Sequence, residues 1–432
     1  MLRFAQNPTG DMHLGNLRIA LFNYILSVQR DEPLLIRIED TDQKHNISSK
    51  EKEIFEILSL FGIKHQEELL QSNNLRFHRA MALQLLQDKK AFNCFCRSET
   101  LDAKREAAEE AKLPYRYDGT CENLSDEETL DNPNSFTIRL KKTLHPITIT
   151  DIVKGENTFS PEDIDSFILL EANKHPTYNF ACAVDDMLAD VSLIIREENH
   201  FSDTPKQIAI HEALGYTKKI EYAHLPLILN DQGNTISEHD DETNIKWLLE
   251  EGYLPEAISN YLIAMGNTTP TEIFGLKEAI KWFDLKTISK APVHFELEKL
   301  KFINREHLKG LDPKELSRYV GFADSDIGNL AKVFLEEAGT LKELRTKIKA
   351  IFAPKEVPLE YKETVEKLRI LTIQAPHFDD FNAYTNYLMH QSTLSGENFF
   401  IPLRILLTGA EYGPELANLY PYLKNYIKEV VK

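Results

Sequence analysis

A chain of 432 residues, 42% hydrophobic and 27% charged, has an ordinary globular balance and length enough for roughly two to four domains. Its net charge of −18 argues against a main trade in non-specific nucleic-acid binding, though a specific RNA binder with a local basic face stays open. Four cysteines do not make a disulfide framework, no apolar run approaches ~18 residues, and no basic stretch leads into an apolar one at the N-terminus, so neither a signal peptide nor a membrane span is expected, and the setting should be cytoplasmic and reduced.

Met1 to Ala5 reads as a strand, and Asn7, Pro8 and Gly10 punctuate the turn after it. His13 starts a helical pattern in which Leu14, Leu17, Leu21, Ile25 and Val28 recur at spacings of three and four. A strand that turns into a helix N-terminus offers unpaired N–H groups and a favourable dipole to a phosphate. His13 and Asn16 would add side-chain donors there; by itself the stretch also fits an ordinary βα turn with a surface histidine. Leu34 to Ile38 is a second strand, ending in Glu39, Asp40, Thr41 and Asp42. Ligands sit beyond the carboxyl ends of such strands, so the end of Arg3's strand, the His13 helix start and Glu39 are expected to face one crevice. Ser48 or Ser49 should cap a helix that stops near Gly62, and another helix should run from about Asn73 to Lys90.

Between about Cys94 and Ile149 the pattern is α+β, an insertion between halves of a parallel sheet, with short strands at Phe136–Leu140 and Ile147–Ile149. Cys94, Cys96 and Cys121 can take three corners of a tetrahedral zinc site, with Tyr117 as fourth ligand; buried free cysteines are the alternative. Val191 to Ile195 is a strand ending at Arg196-Glu197-Glu198-Asn199-His200. Asp203 should cap the next helix, with Pro205 in its first turn and Gly215 past its end. Leu225 to Leu229 is a further strand. The rest is helical, closing with a helix after Gly413-Pro414 that Pro421 should kink.

In this order, RFAQNPTGDMHLGN, LLIRIEDTD, PTYNFACAVDD and IIREENHFSDTP resemble the catalytic core of the glutamyl-tRNA synthetases, class I aminoacyl-tRNA synthetases of bacterial type. The likeness extends to WLLEEGYLPEAISNYL and PLRILLTG, nearly the whole chain. It implies an α/β fold: a Rossmann-type core in residues 1–70 and 175–241, an acceptor-stem-binding insertion in 71–174, a helical stem-contact region in 242–300 and a helical anticodon-binding domain in 301–432. It implies ATP-dependent attachment of L-glutamate to tRNA through glutamyl-adenylate, with Mg2+ accompanying ATP, tRNA(Glu) or tRNA(Gln) as partner, a monomer, and a structural Zn2+ seen in some members. His13, Gly15 and Asn16 match the catalytic signature; Arg3, Glu39, Tyr178 and Arg196 match positions around glutamate. Thr9, Gly10, His13, Gly15, Glu198, Ile236, Ser237 and Glu238 match the ATP site.

The chain departs from that pattern in its second ATP motif. Thr235 and Glu238 stand where lysines are expected, and no Lys or Arg occurs from Ile220 to Ile245. Gln6, Asn7, Cys182, Glu197 and Asn199 also differ from the usual residues. Because such lysines would neutralise the departing pyrophosphate, a second reading is a weakened or inactive synthetase-like tRNA-binding protein.

Overall fold

The structure is a computed structural model, and it describes residues 1–41, 46–47, 49–236 and 241–432. They form two compact units: Met1–Ile245 with Leu262–Phe295, and Lys246–Tyr261 with Glu296–Lys432.

The first unit is built on a seven-stranded sheet. Its order is Glu67–Leu70, Leu34–Ile38, Leu2–Gln6, Leu193–Glu197, Glu221–Leu225, Ile147–Asp151 and Gly155–Phe159. All neighbours pair parallel except the last two, which form an antiparallel hairpin. The chain order reverses between Leu2–Gln6 and Leu193–Glu197, whose ladder records only Leu2 opposite Leu193. The carboxyl ends of these two strands are thus unpaired with each other at the topological switch point, where open α/β sheets bind ligands. The helix Leu14–Arg30 buries Leu14, Leu17, Leu21 and Ile25. Arg18 of that helix donates to the carbonyls of Pro226 and Met265.

A separate three-stranded antiparallel sheet, Ala91–Cys94, Thr137–Leu140 and Ile168–Leu170, forms the heart of the insertion. The Ile147–Phe159 hairpin does not join it, contrary to the expectation that the strand at Ile147–Ile149 belongs to an α+β insertion between halves of a parallel sheet. Tyr222 pairs with Asp151, and the Asp151 carboxylate accepts the His224 amide, so the hairpin extends the main sheet.

Other local expectations shift for simple reasons. The strand read at Leu225–Leu229 is two strands, Glu221–Leu225 and Ile228–Leu229, because Pro226 between them has no N–H for a ladder. Asp203 precedes the helix Thr204–Ala213 without capping it; its carboxylate accepts from Asn179 Nδ2 at 3.0 Å instead. Ser49 likewise makes no side-chain cap for Lys50–Leu60, and Ser48 lies outside the described residues. The last helical stretch is broken into Leu416–Leu423 and Ile427–Val430, with Pro421 inside the first.

The second unit is helical. Asn304, fully buried, accepts from the Leu254 amide at 2.8 Å and donates to the Gly339 carbonyl at 2.7 Å, so one side chain ties three segments. No helix among the described residues is long and apolar enough to cross a membrane.

Candidate active site

The helix start is organised by His13. Its Nδ1 accepts the Gly15 amide at 3.1 Å, while Asn16 Oδ1 accepts the His13 amide at 3.2 Å. Burial lowers the His13 imidazole to about 4, so it is neutral at pH 7. With Nδ1 accepting, the ring proton sits on Nε2, which becomes a donor. A methyl on Gly15 would meet Glu197 Oε1 at 2.3 Å and the His13 ring at 2.9 Å, so a larger residue there must displace the Glu197 carboxylate and press on the imidazole.

Beside it lies a buried ion-pair ladder. Arg3 donates through Nε to Asp186 Oδ1 at 3.2 Å and through a terminal nitrogen to the Ile195 carbonyl at 3.4 Å. Arg37, fully buried in the middle of an apolar strand, pairs with Asp186 and with Glu39 Oε1 at 3.1 Å. Cys182 donates its S–H to the same Glu39 oxygen at 3.1 Å. All three of these side-chain donors to Glu39, two from Arg37 and one from Cys182, fall on Oε1. Burial by itself would raise the Asp186 carboxyl; the Arg3 and Arg37 guanidiniums outweigh it and hold the group at about 2. Tyr178, Cys182, Asp185 and Asp186 come from one helix, Tyr178–Leu188, at spacings that share a face. Asp185 is taken up by Gln71, Asn74 and His78.

Arg196 is held differently. Its Nε donates to His224 Nε2 at 3.0 Å, one terminal nitrogen to Gln207 Oε1 at 3.0 Å, and the other to Thr204 Oγ1 at 2.7 Å. Arg196 is buried, 6% exposed as a residue, and no carboxylate among the described residues pairs with it directly. Three of five N–H groups are used, leaving one on each terminal nitrogen. A buried cation with only neutral partners is a costly arrangement unless an anion completes it.

The other sequence candidates fall around this crevice or outside the described residues. Tyr178 is 38% exposed, with its hydroxyl 3.5 Å from His200 Nδ1. Glu198 pairs with Lys154 and accepts the Leu227 amide at 3.2 Å. Thr9 is exposed and Gly10 half-buried in the signature turn, whose Pro8 carbonyl accepts the Ile47 amide. Ile236 is buried, and its amide donates to the Ile228 carbonyl at 3.0 Å. Ser237 and Glu238 lie outside the described residues. Past them the chain is pinned to the signature again: His13 bridges Asn244, and the Ile245 amide donates to the Met12 carbonyl. Lys50 pairs with Asp11, which also accepts from Asn244 Nδ2 at 2.9 Å.

Sequence reasoning missed Arg37, Asp151, Asp186, Thr204, Gln207 and His224. One signal was available, since a charge inside a run such as Leu34-Leu-Ile-Arg37-Ile requires a buried partner.

In the insertion, the sulfurs of Cys94, Cys96 and Cys121 all lie within 4.8 Å of one another. The Tyr117 hydroxyl is 3.4 Å from the Cys94 sulfur and 3.5 Å from that of Cys96, and it accepts the Cys121 amide at 3.0 Å.

Residues 1–302 match the model for tRNA synthetases class I (E and Q), catalytic domain. The chain is 60% identical over 432 residues to "Glutamate--tRNA ligase 2" of Sulfurimonas denitrificans and 53% identical to "Glutamate--tRNA ligase 1" of Nitratiruptor sp., covering 100% of each. A crystal structure of a glutamate tRNA ligase from Elizabethkingia meningosepticum, 26% identical, matches with a TM-score of 0.86 over 100% of this chain and 98% of that one. With the family model spanning more than half of its length and relatives matched end to end, the chain belongs to the class I tRNA synthetases of the glutamate and glutamine type.

Proposed function

We infer that the protein is a glutamate–tRNA ligase. Oxygen of the glutamate α-carboxylate attacks the α-phosphorus of ATP, the bond to the β-phosphate breaks, and pyrophosphate leaves. The terminal ribose hydroxyl of tRNA then attacks the glutamyl-adenylate carbonyl, and AMP leaves. The observation that carries the reading is Arg196: a buried guanidinium with three neutral partners and two N–H groups left lacks a counter-ion, and a glutamate carboxylate supplies one.

Arg3 serves the same ligand through the N–H groups its bonds to Asp186 and Ile195 leave over, and Glu39 answers the α-ammonium through Oε2. Tyr178 lines the rim. His13 Nε2–H and the Asn16 amide aim donors at charge developing on the α-phosphate, with Gly15 giving close approach. Thr9, Gly10, Ile236, Ser237, Glu238 and Glu198 border ATP, with Mg2+ accompanying it. Burial raises the Glu197 carboxyl above its usual range, against His200 and Arg18, which suits a group sharing this corner with phosphate. Beside the signature Lys50 is held between Asp11 and Glu53, and residues 220–245 contain no Lys or Arg. Residues 71–174, apart from the Ile147–Phe159 hairpin of the main sheet, hold the acceptor stem and 301–432 the anticodon of tRNA(Glu) or tRNA(Gln), the enzyme acting as a monomer in the cytoplasm.

Glutamate-dependent exchange of pyrophosphate into ATP, with tRNA present, tests the reading. Exchange at an ordinary rate is expected. None, from a folded protein that still binds tRNA, would replace the enzyme with a binding protein on the same scaffold.

We also assign a structural zinc to Cys94, Cys96, Cys121 and Tyr117, supported by three convergent sulfurs with the phenol among them. One zinc per chain is expected on metal analysis, and Cys94→Ser with Cys96→Ser should abolish it. A protein purified without chelator that carries no zinc removes the site.

A further inference from the structure

We propose that Asp151 and His224 are a positioning pair for Arg196, which sets the orientation of the guanidinium toward the amino acid. The proposal rests on the reading of Arg196 as the carboxylate ligand.

Both side chains are fully shielded from solvent. His224 Nδ1 lies 2.6 Å from Asp151 Oδ2, and His224 Nε2 accepts from Arg196 Nε at 3.0 Å. The carboxylate can only accept, so Nδ1 carries the proton and Nε2 keeps its lone pair for the arginine. Thr204 Oγ1 is 3.0 Å from the same Nε2 and accepts from Arg196 at 2.7 Å, closing a three-membered ring of hydrogen bonds. The carboxylate is fixed in turn by backbone: Asp151 Oδ1 accepts the amides of Val153 at 2.9 Å and Lys154 at 2.8 Å. This anchor exists because the Ile147–Phe159 hairpin joins the main sheet beside Glu221–Leu225. A carboxylate one imidazole away thus governs the arginine without neutralising it, so the charge stays available to substrate.

The decisive variant is Asp151→Asn. Its Oδ1 still accepts the Val153 and Lys154 amides, so the turn should hold, and it lies 3.3 Å from the His224 amide, which gives up its 3.1 Å bond to the second oxygen. An amide N–H now faces His224 Nδ1, which drives the ring proton to Nε2, donor against donor at Arg196. The Michaelis constant for glutamate is expected to rise about 10- to 100-fold, the range for losing a hydrogen bond to a charged group, while that for ATP stays within about twofold. His224→Phe should do the same. His224→Gln, which keeps an acceptor near the Nε2 position, should recover glutamate use to within a few-fold of the unmodified enzyme. The double variant Asp151→Asn with His224→Gln should be no worse than His224→Gln alone, whereas two independent structural lesions would multiply.

An unchanged glutamate constant in Asp151→Asn overturns the proposal, as does an equal rise for ATP and glutamate, or failure of His224→Gln to recover where His224→Phe is folded. If His224→Phe does not fold, Asp151→Asn decides. Arg196→Ala separates the two readings. If it leaves the glutamate constant unmoved, the assignment of Arg196 falls and the positioning pair with it. If it raises that constant while Asp151→Asn does not, only the pair falls.

Discussion

Arg196→Ala is expected to lower glutamate-dependent pyrophosphate exchange by roughly 10²–10³, while the folded protein loses no more than about 2 kcal/mol of stability. The asymmetry follows from its partners. His224, Gln207 and Thr204 are neutral, so removing the guanidinium strands no buried charge. Thr204 Oγ1 can still serve His224 Nε2, and Gln207 keeps its bond to Asn179. The substrate carboxylate, by contrast, loses its counter-ion. Exchange kinetics at varied glutamate and ATP, alongside urea unfolding, check the prediction. Equal damage to glutamate and ATP use, or collapse of the fold, would mean that Arg196 is structural.

Asp186→Ala should do the opposite. Its carboxylate is the shared partner of Arg3 and Arg37, and both guanidiniums are buried. Removing it leaves two cations with one carboxylate, Glu39, between them, and breaking a buried pair in this way costs ~3–5 kcal/mol. The urea midpoint at pH 7 should fall accordingly, and a loss under about 1 kcal/mol would show that the ladder is not holding the sheet. The pH dependence has a definite sign. The Asp186 carboxyl sits at about 2 in the fold against an ordinary 3.8, so it binds protons less readily folded than unfolded. Its contribution is fully present above the ordinary value and is lost as pH falls through about 4 toward 2. The alanine variant should lack that part of the acid transition.

Two buried arginines at one switch point thus differ in what completes them, and only their neighbours separate them. In the sequence they are alike: Arg3 and Arg196 each sit in a hydrophobic strand, and the family resemblance assigned both to glutamate. The structure shows Arg3 already paired and Arg196 still without a carboxylate of its own.

What was legible early came from local rules. The apolar spacing after His13 marked the start of the first helix to within a residue, although Val28 of that pattern is exposed; the alternation at Ile147 and Ile149 marked a strand, and the order of four motifs led to the family. Three cysteines and a tyrosine were singled out by spacing, and the fold draws them together. The helix and the strand depend on residues a few positions apart, where helix and strand periods act directly; the motif order and the cysteine set are read along the chain without any knowledge of the fold.

What the tertiary structure alone decided depends on residues far apart in the chain. Nothing near Asp151 in the sequence announces His224, because parallel strands become neighbours only through long crossovers, and nothing near Asp186 announces Arg3, because only the fold lays its helix against that strand. The same pairing moved the Ile147–Phe159 hairpin out of the insertion and into the main sheet, and so delivered the carboxylate that sets the His224 tautomer. Local pattern determined which elements form; burial of charge, which must be satisfied by whatever the fold brings alongside, decided which of them make the site.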